Sequence, residues 1–592
     1  MTGVSSQIAD YALLGDGETA ALLSRDGSID WLCWPRFDDA ACFAALLGKP
    51  EHGHWSIAPT DPVTQRSRRY QNDTLVMETD FETAGGAVRI IDFMPVRKGA
   101  SALVRIVTGL RGTVPMRCRL CLRFDYGALP PWCEGNGREM VAKVGPDLAV
   151  LPAGVDLRVG PDDISAPFDV SEGQRLAFVL SYGASHEQKP PPLDAEAALR
   201  ATQDFWRGWI GRFDNAKTAW PAQVRRSLIT LKAMIHAPTG GLVAAPTTSL
   251  PEAPGGTMNW DYRYCWLRDA SFTLCALLNA GFHEEAASWR DWLLRAVAGS
   301  PEHLRIMYKV DGSRRLAEWE VDGLPGYRYA SPVRVGNAAS TQHQVDVLGE
   351  LLDALDVARR GGVAGCDQES VVRCKVVAPI EKVWHTAGSG VWESRAEPRH
   401  YTYSKVMAWV GIDRFIGRHD KTGSMDLEKL VRLRQTIHDE VCDEGWNAGL
   451  GTFTQYYGGQ AIDASLLLLP LVGFLPANDP RMEATINTIQ RHLSDGGLIR
   501  RTMAKADGPH EGAFLACSCW MADCLNMQGR KDEARAQFER VLAVANDLGL
   551  LSEEYNVPGG HLAGNFPQAL THLAVVNTAL GLCGPTLQRG GG

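Results

Sequence analysis

The sequence predicts an N-terminal antiparallel β-sandwich followed by an all-α (α/α)6 barrel, on three observations. Up to about residue 190 apolar residues alternate every second position between glycine turns, and beyond it they recur at spacings of three and four. The run Lys189-Pro190-Pro191-Pro192 marks the change, with a helical signal over 194–213 just after it. In the helical part, long gaps between helices alternate with short ones. The predicted division is 1–190 for the sandwich, 191–220 for a linker helix and 221–592 for the barrel.

The strands come first. Residues 75–83 and 87–94 flank Ala84-Gly85-Gly86 as a hairpin, residues 102–110 and 114–124 flank a second glycine turn, and 175–182 add a further strand. The string GDGETA at 15–20 matches a loose nucleotide-loop pattern, but the flanking residues read as strands and hairpin turns, so it is taken as turns. The only CxxC, Cys118 to Cys121, lies in an alternating run whose residues three apart face opposite sides, which reads as ordinary buried thiols.

About twelve helical segments follow, such as the one carrying Val345, Leu348, Leu351, Leu352 and Leu355. Long gaps near 238–266, 300–340, 387–400, 443–460, 495–511 and 550–565 alternate with short ones near 282, 361–371, 418–426, 473–479 and 529. Helices running alternately up and down put every second connection at the same end. Six long loops therefore gather on one face, and six hairpins closed in a ring leave a crevice there.

Composition narrows the function. Sixty basic against 69 acidic residues give a net charge of −9, without the Lys/Arg stripe of a nucleic-acid binder. The N-terminal residues show no basic segment followed by an apolar run, and no apolar stretch is long enough to cross a membrane, so a cytoplasmic location is expected. A homo-oligomer is left open. Cys517, Cys519 and Cys524 fit core packing, and His303, His343, His400, His510, His561 and His572 lack metal-ligand spacing. No cofactor and no metal are predicted.

The long loops are dense in aromatic, acidic and arginine residues: GGTMNWDYRYCWLRDAS at 255–271, RRLAEWEVDGLPGYRYASPVRVGNAAS at 314–340, GSGVWESRAEPRHYTYSK at 388–405 and LLSEEYNVPGGHLAGNFPQ at 550–568. Carboxylates and arginines hydrogen-bond hydroxyls while aromatic faces cover C–H surfaces, so this is a carbohydrate-site composition. Cleaving a glycosidic bond takes one protonated and one ionised carboxyl. Glu393, between Trp392 and Arg395, is the candidate acid: the indole raises its pKa while the arginine opposes. Glu553 or Glu554 is the candidate base, with Glu553 preferred.

The strings WLRD, PVRVGN, GVWESR and GNFPQA, with LLSRDGSIDWLCWPRFDD at 22–39, closely resemble glycoside hydrolase family 15, the glucoamylase and bacterial trehalase family, from about residue 7 to about 580. The resemblance implies the same two-part fold and single-displacement hydrolysis of α-glucosides with inversion. It matches Glu393 to the family's general acid and Glu553 to its base. Arg268 and Asp269 match the pair holding the terminal glucose, which implies exo action, and Trp260, Glu318, Arg334 and Asn337 fall in strings lining the same pocket. Asn556, where the family often has aspartate, and Leu570-Thr571-His572 in place of FSH depart from the pattern and bear on substrate preference. The expected activity is that of a trehalase on a small α-glucoside. A glucoamylase-like or isomaltose-type glucohydrolase is the alternative, followed by a disaccharide phosphorylase, which needs no second carboxylate, and an inactive glucan-binding protein.

Overall fold

The computed structural model describes residues 6–135, 137–160, 162–299, 303–417, 426–503 and 511–590. His510 and parts of the gaps near 300–340, 418–426 and 495–511 lie outside the described residues.

The N-terminal part is an antiparallel sheet assembly built on the long strand Ala102–Cys121. Its first half pairs with Gly86–Phe93 and Arg175–Ala184, and its second half with His54–Pro59 and Ile164–Ser171. This corrects the predicted second hairpin: the chain does not reverse at Gly112 but runs on, bent where Gly112 takes a positive φ of 63°. At Gly109 a Cβ would come within 2.0 Å of the Ser171 carbonyl, so only glycine admits the neighbouring strand at the bend. The predicted hairpin across 84–86 forms as Met77–Thr83 against Gly86–Phe93. GDGETA is the turn between strands Tyr11–Gly15 and Ala20–Ser24, closed by Asp16 Oδ1 accepting from the Glu18 and Thr19 amides.

Thirteen α-helices follow among the described residues: α1 Ala195–Ile210, α2 Pro221–Met234, α3 Ala270–Ala280, α4 His283–Ala296, α5 Asp346–Arg360, α6 Asp367–Val383, α7 Thr402–Gly417, α8 Leu427–Glu444, α9 Leu468–Leu471, α10 Pro480–His492, α11 Leu515–Met527, α12 Lys531–Ala543 and α13 Ala569–Gly581. The short α9 extends a 3-10 turn, Ala464–Leu467. Helix α1 begins where Asp194 accepts from the Glu196 and Ala197 amides. Its buried stripe of Leu199, Trp206, Trp209 and Ile210 packs it onto the rest.

The helices fall into two sets. Helix α3 packs on α5, α5 on α7, α7 on α9 with its 3-10 turn, α9 on α11, α11 on α13, and α13 on α3. Each of these six starts after a long connection, so their N-termini point toward one end. The other six helices after α1 alternate with them in sequence. Helices α3, α11 and α13 are apolar nearly all round, with ten or eleven buried residues apiece, as interior helices must be. No helix among the described residues is long and apolar enough to cross a membrane.

The two parts are bound together close to the long loops. Trp31 Nε1 donates to the Pro246 carbonyl at 2.7 Å. Arg263, fully buried, forks onto both oxygens of Asp261 and also reaches the Asp39 carbonyl and the Tyr126 hydroxyl. The sheet part thus backs the loop that leads into α3.

Candidate active site

The loop 255–271 is extended at Cys265–Trp266 and turns on either side of it, and its side chains go two ways. Asp261 and Arg263 turn toward the sheet, while Tyr262, Trp266 and Arg268 face the carboxyls of two other long loops. Arg268 donates to Asp269 at 2.8 Å and to Glu393 Oε1 at 3.2 Å, and Trp266 Nε1 donates to the same Glu393 oxygen at 2.6 Å. Burial works against the Arg268 cation, but Asp269 and Glu393 outweigh it and hold the guanidinium charged.

Glu393 sits on a turn with a left-handed φ of 57°, a conformation costly for a residue with a side chain and a recurrent feature of functional sites. Gly390, at φ 73°, makes room for that turn: a Cβ there would meet the Tyr401 ring at 2.8 Å. The Glu393 amide donates to the Gly390 carbonyl, and the Glu393 carbonyl accepts from Gln342 Nε2 at 3.0 Å. Burial raises the Glu393 carboxyl above its ordinary range, and Arg268 and the Trp266 indole only partly offset this.

Glu553 is buried on the opposite loop, with Oε1 accepting from the Tyr262 hydroxyl at 2.6 Å and Oε2 carrying no protein partner. Burial lifts it to about 7 against the pull of Arg501 and the Tyr262 hydroxyl, with Arg268 also within electrostatic reach. Glu554 points elsewhere. It lies in the strand Glu554–Asn556, accepts from the Gly512 amide at 2.9 Å and faces Arg501 at 3.4 Å. Of the adjacent pair, Glu553 shares the Arg268 environment with Glu393, while Glu554 belongs to a buried ionic cluster. Glu252, Glu511 and Glu554 converge closely enough to hold a cation, and Arg501, ion-paired to all three, fills that place.

The remaining sequence-predicted residues form a second group. Arg395 forks onto both Glu318 oxygens, and Arg334 lies 3.6 Å from the same carboxyl. Both guanidiniums cover the Trp260 ring, at 4.7 Å for Arg334 and 4.1 Å for Arg395. Trp392 instead donates to Asp463 at 2.9 Å and stacks on Trp520 at 6.2 Å. The expected electrostatics of Glu393 are therefore corrected. The indole and arginine that touch its carboxylate are Trp266 and Arg268, because the left-handed turn sends the flanking Trp392 and Arg395 to other partners. Asn337 is placed differently as well: its side chain caps the 3-10 turn Ala338–Thr341 and bonds the Asp261 carbonyl, so it shapes the loop.

Tyr262 and Trp266 were not singled out from the sequence. Spacing alone does not mark them: Tyr264 shares the parity of 262 and 266 yet donates to Asp261 Oδ2 at 3.1 Å, on the side of the sheet. His572 and Asn556, the departures in the last loop, are occupied with folding: His572 accepts from the Leu551 amide at 3.2 Å, and Asn556 from the Gly559 amide at 2.7 Å.

Comparison with known proteins gives the family and the fold. A family model described as glycosyl hydrolases family 15 matches residues 222–580, and one described as trehalase-like, N-terminal, matches residues 2–206. A Mycobacterium tuberculosis protein named trehalase is 35% identical, over 97% of this chain and 89% of its own length. A Thermoplasma volcanium protein of the same name is 33% identical, over 97% and 93%. A crystal structure of a bacterial glucoamylase complexed with acarbose superposes with a TM-score of 0.74 over 98% of this chain and 96% of its own, at 13% identity. That likeness shows a glucoamylase-like fold, with an antiparallel sheet part followed by a helical part.

Proposed function

We propose, from the premise that this chain belongs to glycosyl hydrolases family 15, that it is a trehalase, hydrolysing α,α-trehalose to two glucose molecules with inversion at the attacked carbon. The observation that carries the substrate is the identity of 33–35% to proteins named trehalase across nearly the whole chain.

Glu393, whose carboxyl burial raises above its ordinary range, gives its proton to the glycosidic oxygen as the C–O bond breaks. Glu553 takes a proton from a water that attacks the anomeric carbon from the far face. Its partner-free Oε2 is free to accept that water, while Tyr262 steadies Oε1. Arg268 and Asp269 hold hydroxyls of the glucose undergoing cleavage, and the Glu318, Arg334, Arg395 and Trp260 group borders the crevice on which the second sugar rests. Two carboxyls of opposite role favour water over phosphate as the attacking group.

The same reading closes the helices as an (α/α)6 barrel, supported by the cyclic succession from α3 through α13 back to α3. It divides the chain at 1–190, 191–220 and 221–592, in keeping with the last sheet strand ending at Ala184 and α2 beginning at Pro221. The test is glucose release from trehalose, kojibiose, maltose, isomaltose and maltotetraose, with and without phosphate. Release from trehalose alone supports the proposal, whereas rates rising with maltooligosaccharide length would move the protein to the glucoamylase reading.

A further inference from the structure

Segment Leu587–Gly590 enters the ring of α3, α5, α7 and α9 from the end opposite the long loops. Asn279, in the last turn of α3, holds Leu587 by both amide and carbonyl at 2.8 and 3.0 Å. Arg360, the last residue of α5, donates to the Gln588 and Arg589 carbonyls, and Arg414 on α7 donates to the Arg589 carbonyl at 2.8 Å. The Gly590 amide donates to the Leu471 carbonyl at the end of α9. Four successive helices are thereby tied to one short segment.

Its side chain Arg589 points up the axis of the ring. It is 4% exposed, pairs with Asp353 at 2.8 Å and with Glu350, and lies 4.5 Å over the Phe272 ring. Both contacts lead to the catalytic acid. Glu350 lines the same small space, of about 10 Å³, as Arg268, Asp346 and Glu393. Phe272 stacks on Trp520 at 5.7 Å, and Trp520 on Trp392, the residue before Glu393, at 6.2 Å. A column Arg589–Phe272–Trp520–Trp392 therefore runs from the far end to the Glu393 loop, with the Arg589–Glu350 ion pair beside it.

We infer that Arg589 is a positioning residue for the hydrolysis: it closes the floor of the active site from behind, fixing through Glu350 and the aromatic column where Arg268 and Glu393 stand. The inference rests on the glucoside-hydrolase reading of the site. The physical reason is that Glu350 borders the same space as Arg268 and Glu393 and has Arg589 as its ion-pair partner beside the Tyr403 hydroxyl, while Asp353 has Arg414 as a second cation, so the charge that Arg589 balances next to the Arg268–Glu393 pair is that of Glu350. Removing Arg589 leaves Glu350 free to draw Arg268 away from Glu393. Of the proposed sugar contacts only Arg268 shifts, while Asp269, Glu318, Arg334, Arg395 and Trp260 stay in place, so the loss falls far more on the chemical step than on binding.

The test compares wild type, Arg589→Met and Arg589→Lys on trehalose, with folding checked by thermal melting. The expected result is a kcat for Arg589→Met lower by about tenfold or more with KM within about twofold, and recovery of most of that loss in Arg589→Lys, which keeps the charge. Addition of guanidinium chloride below denaturing concentration should also restore part of the Met variant's rate, since a cavity of about 70 Å³ lies against Phe272, Trp520 and Arg589. If Arg589→Met does not fold, Arg360→Ala takes its place; it loosens the Gln588 and Arg589 carbonyls without touching Glu350, and kcat should again fall with KM held. Wild-type kcat in a folded variant overturns the inference, as does a parallel loss of kcat and KM that neither lysine nor guanidinium relieves. A wild-type protein inert on every glucoside overturns the underlying reading instead.

Discussion

Glu393 and Glu553 lie within reach of the same arginine, and burial raises both carboxyls above their ordinary value of 4.5. Glu553 must be ionised to activate water, so its raised pKa removes activity as pH falls. Glu393 must be protonated to give up its proton, so its raised pKa preserves activity as pH rises. The expected kcat/KM profile is a bell displaced upward from the ordinary carboxyl range, and a bell centred near pH 4.5 would contradict the assignment. Tyr262→Phe removes the donor that favours ionised Glu553; its acid limb should move to higher pH, with kcat lower by about tenfold. Glu393→Gln and Glu553→Gln should each lower kcat by about 10²–10⁴-fold while calorimetry still detects sugar binding, and full rate in either would remove that residue from its role. The carboxyls were legible in the sequence because each stands in a long loop among sugar-binding residue types. Their immediate partners were less so: Arg395 is close to Glu393 in sequence, yet the left-handed turn at Glu393 gives that contact to Arg268.

At the scale of elements, gap lengths proved the most readable signal. Among the described residues, helices end and begin close to the gaps that the periodicity placed, because a run of three- and four-spaced apolar residues must end where its buried face ends. The strand Ala102–Cys121 was misread because a glycine pair marks a bend as readily as a turn; the deciding factor is whether both halves find neighbours in the sheet, which is a property of distant residues. Two element-scale predictions follow from local packing. Gly390→Ala should lower activity far more than stability, since the added Cβ collides with Tyr401 at the turn that aims Glu393; the check is kcat beside the melting temperature. Asp261→Asn leaves the Arg263 charge buried beneath the loop 255–271 without its counter-ion, which should cost about 3–5 kcal/mol in a denaturant titration.

For the molecule as a whole, the sheet part is the backing of the site, because Trp31, Asp39 and Tyr126 hold the loop that carries Tyr262, Trp266 and Arg268. Residues 221–592 produced alone should therefore lose hydrolysis even where helical circular dichroism survives. That dependence was not legible in the sequence, since Arg263 reads there as one more arginine of the sugar-binding loop, and only the fold turns it toward the sheet. The measurement that tests the central claim most directly is proton NMR of the glucose first formed from α,α-trehalose. An inverting trehalase yields one β-glucose from the attacked residue and one α-glucose from the leaving residue, so equal early signals of the two anomers are predicted. Early appearance of α-glucose alone, or no release from trehalose beside rapid release from maltotetraose, would contradict the account.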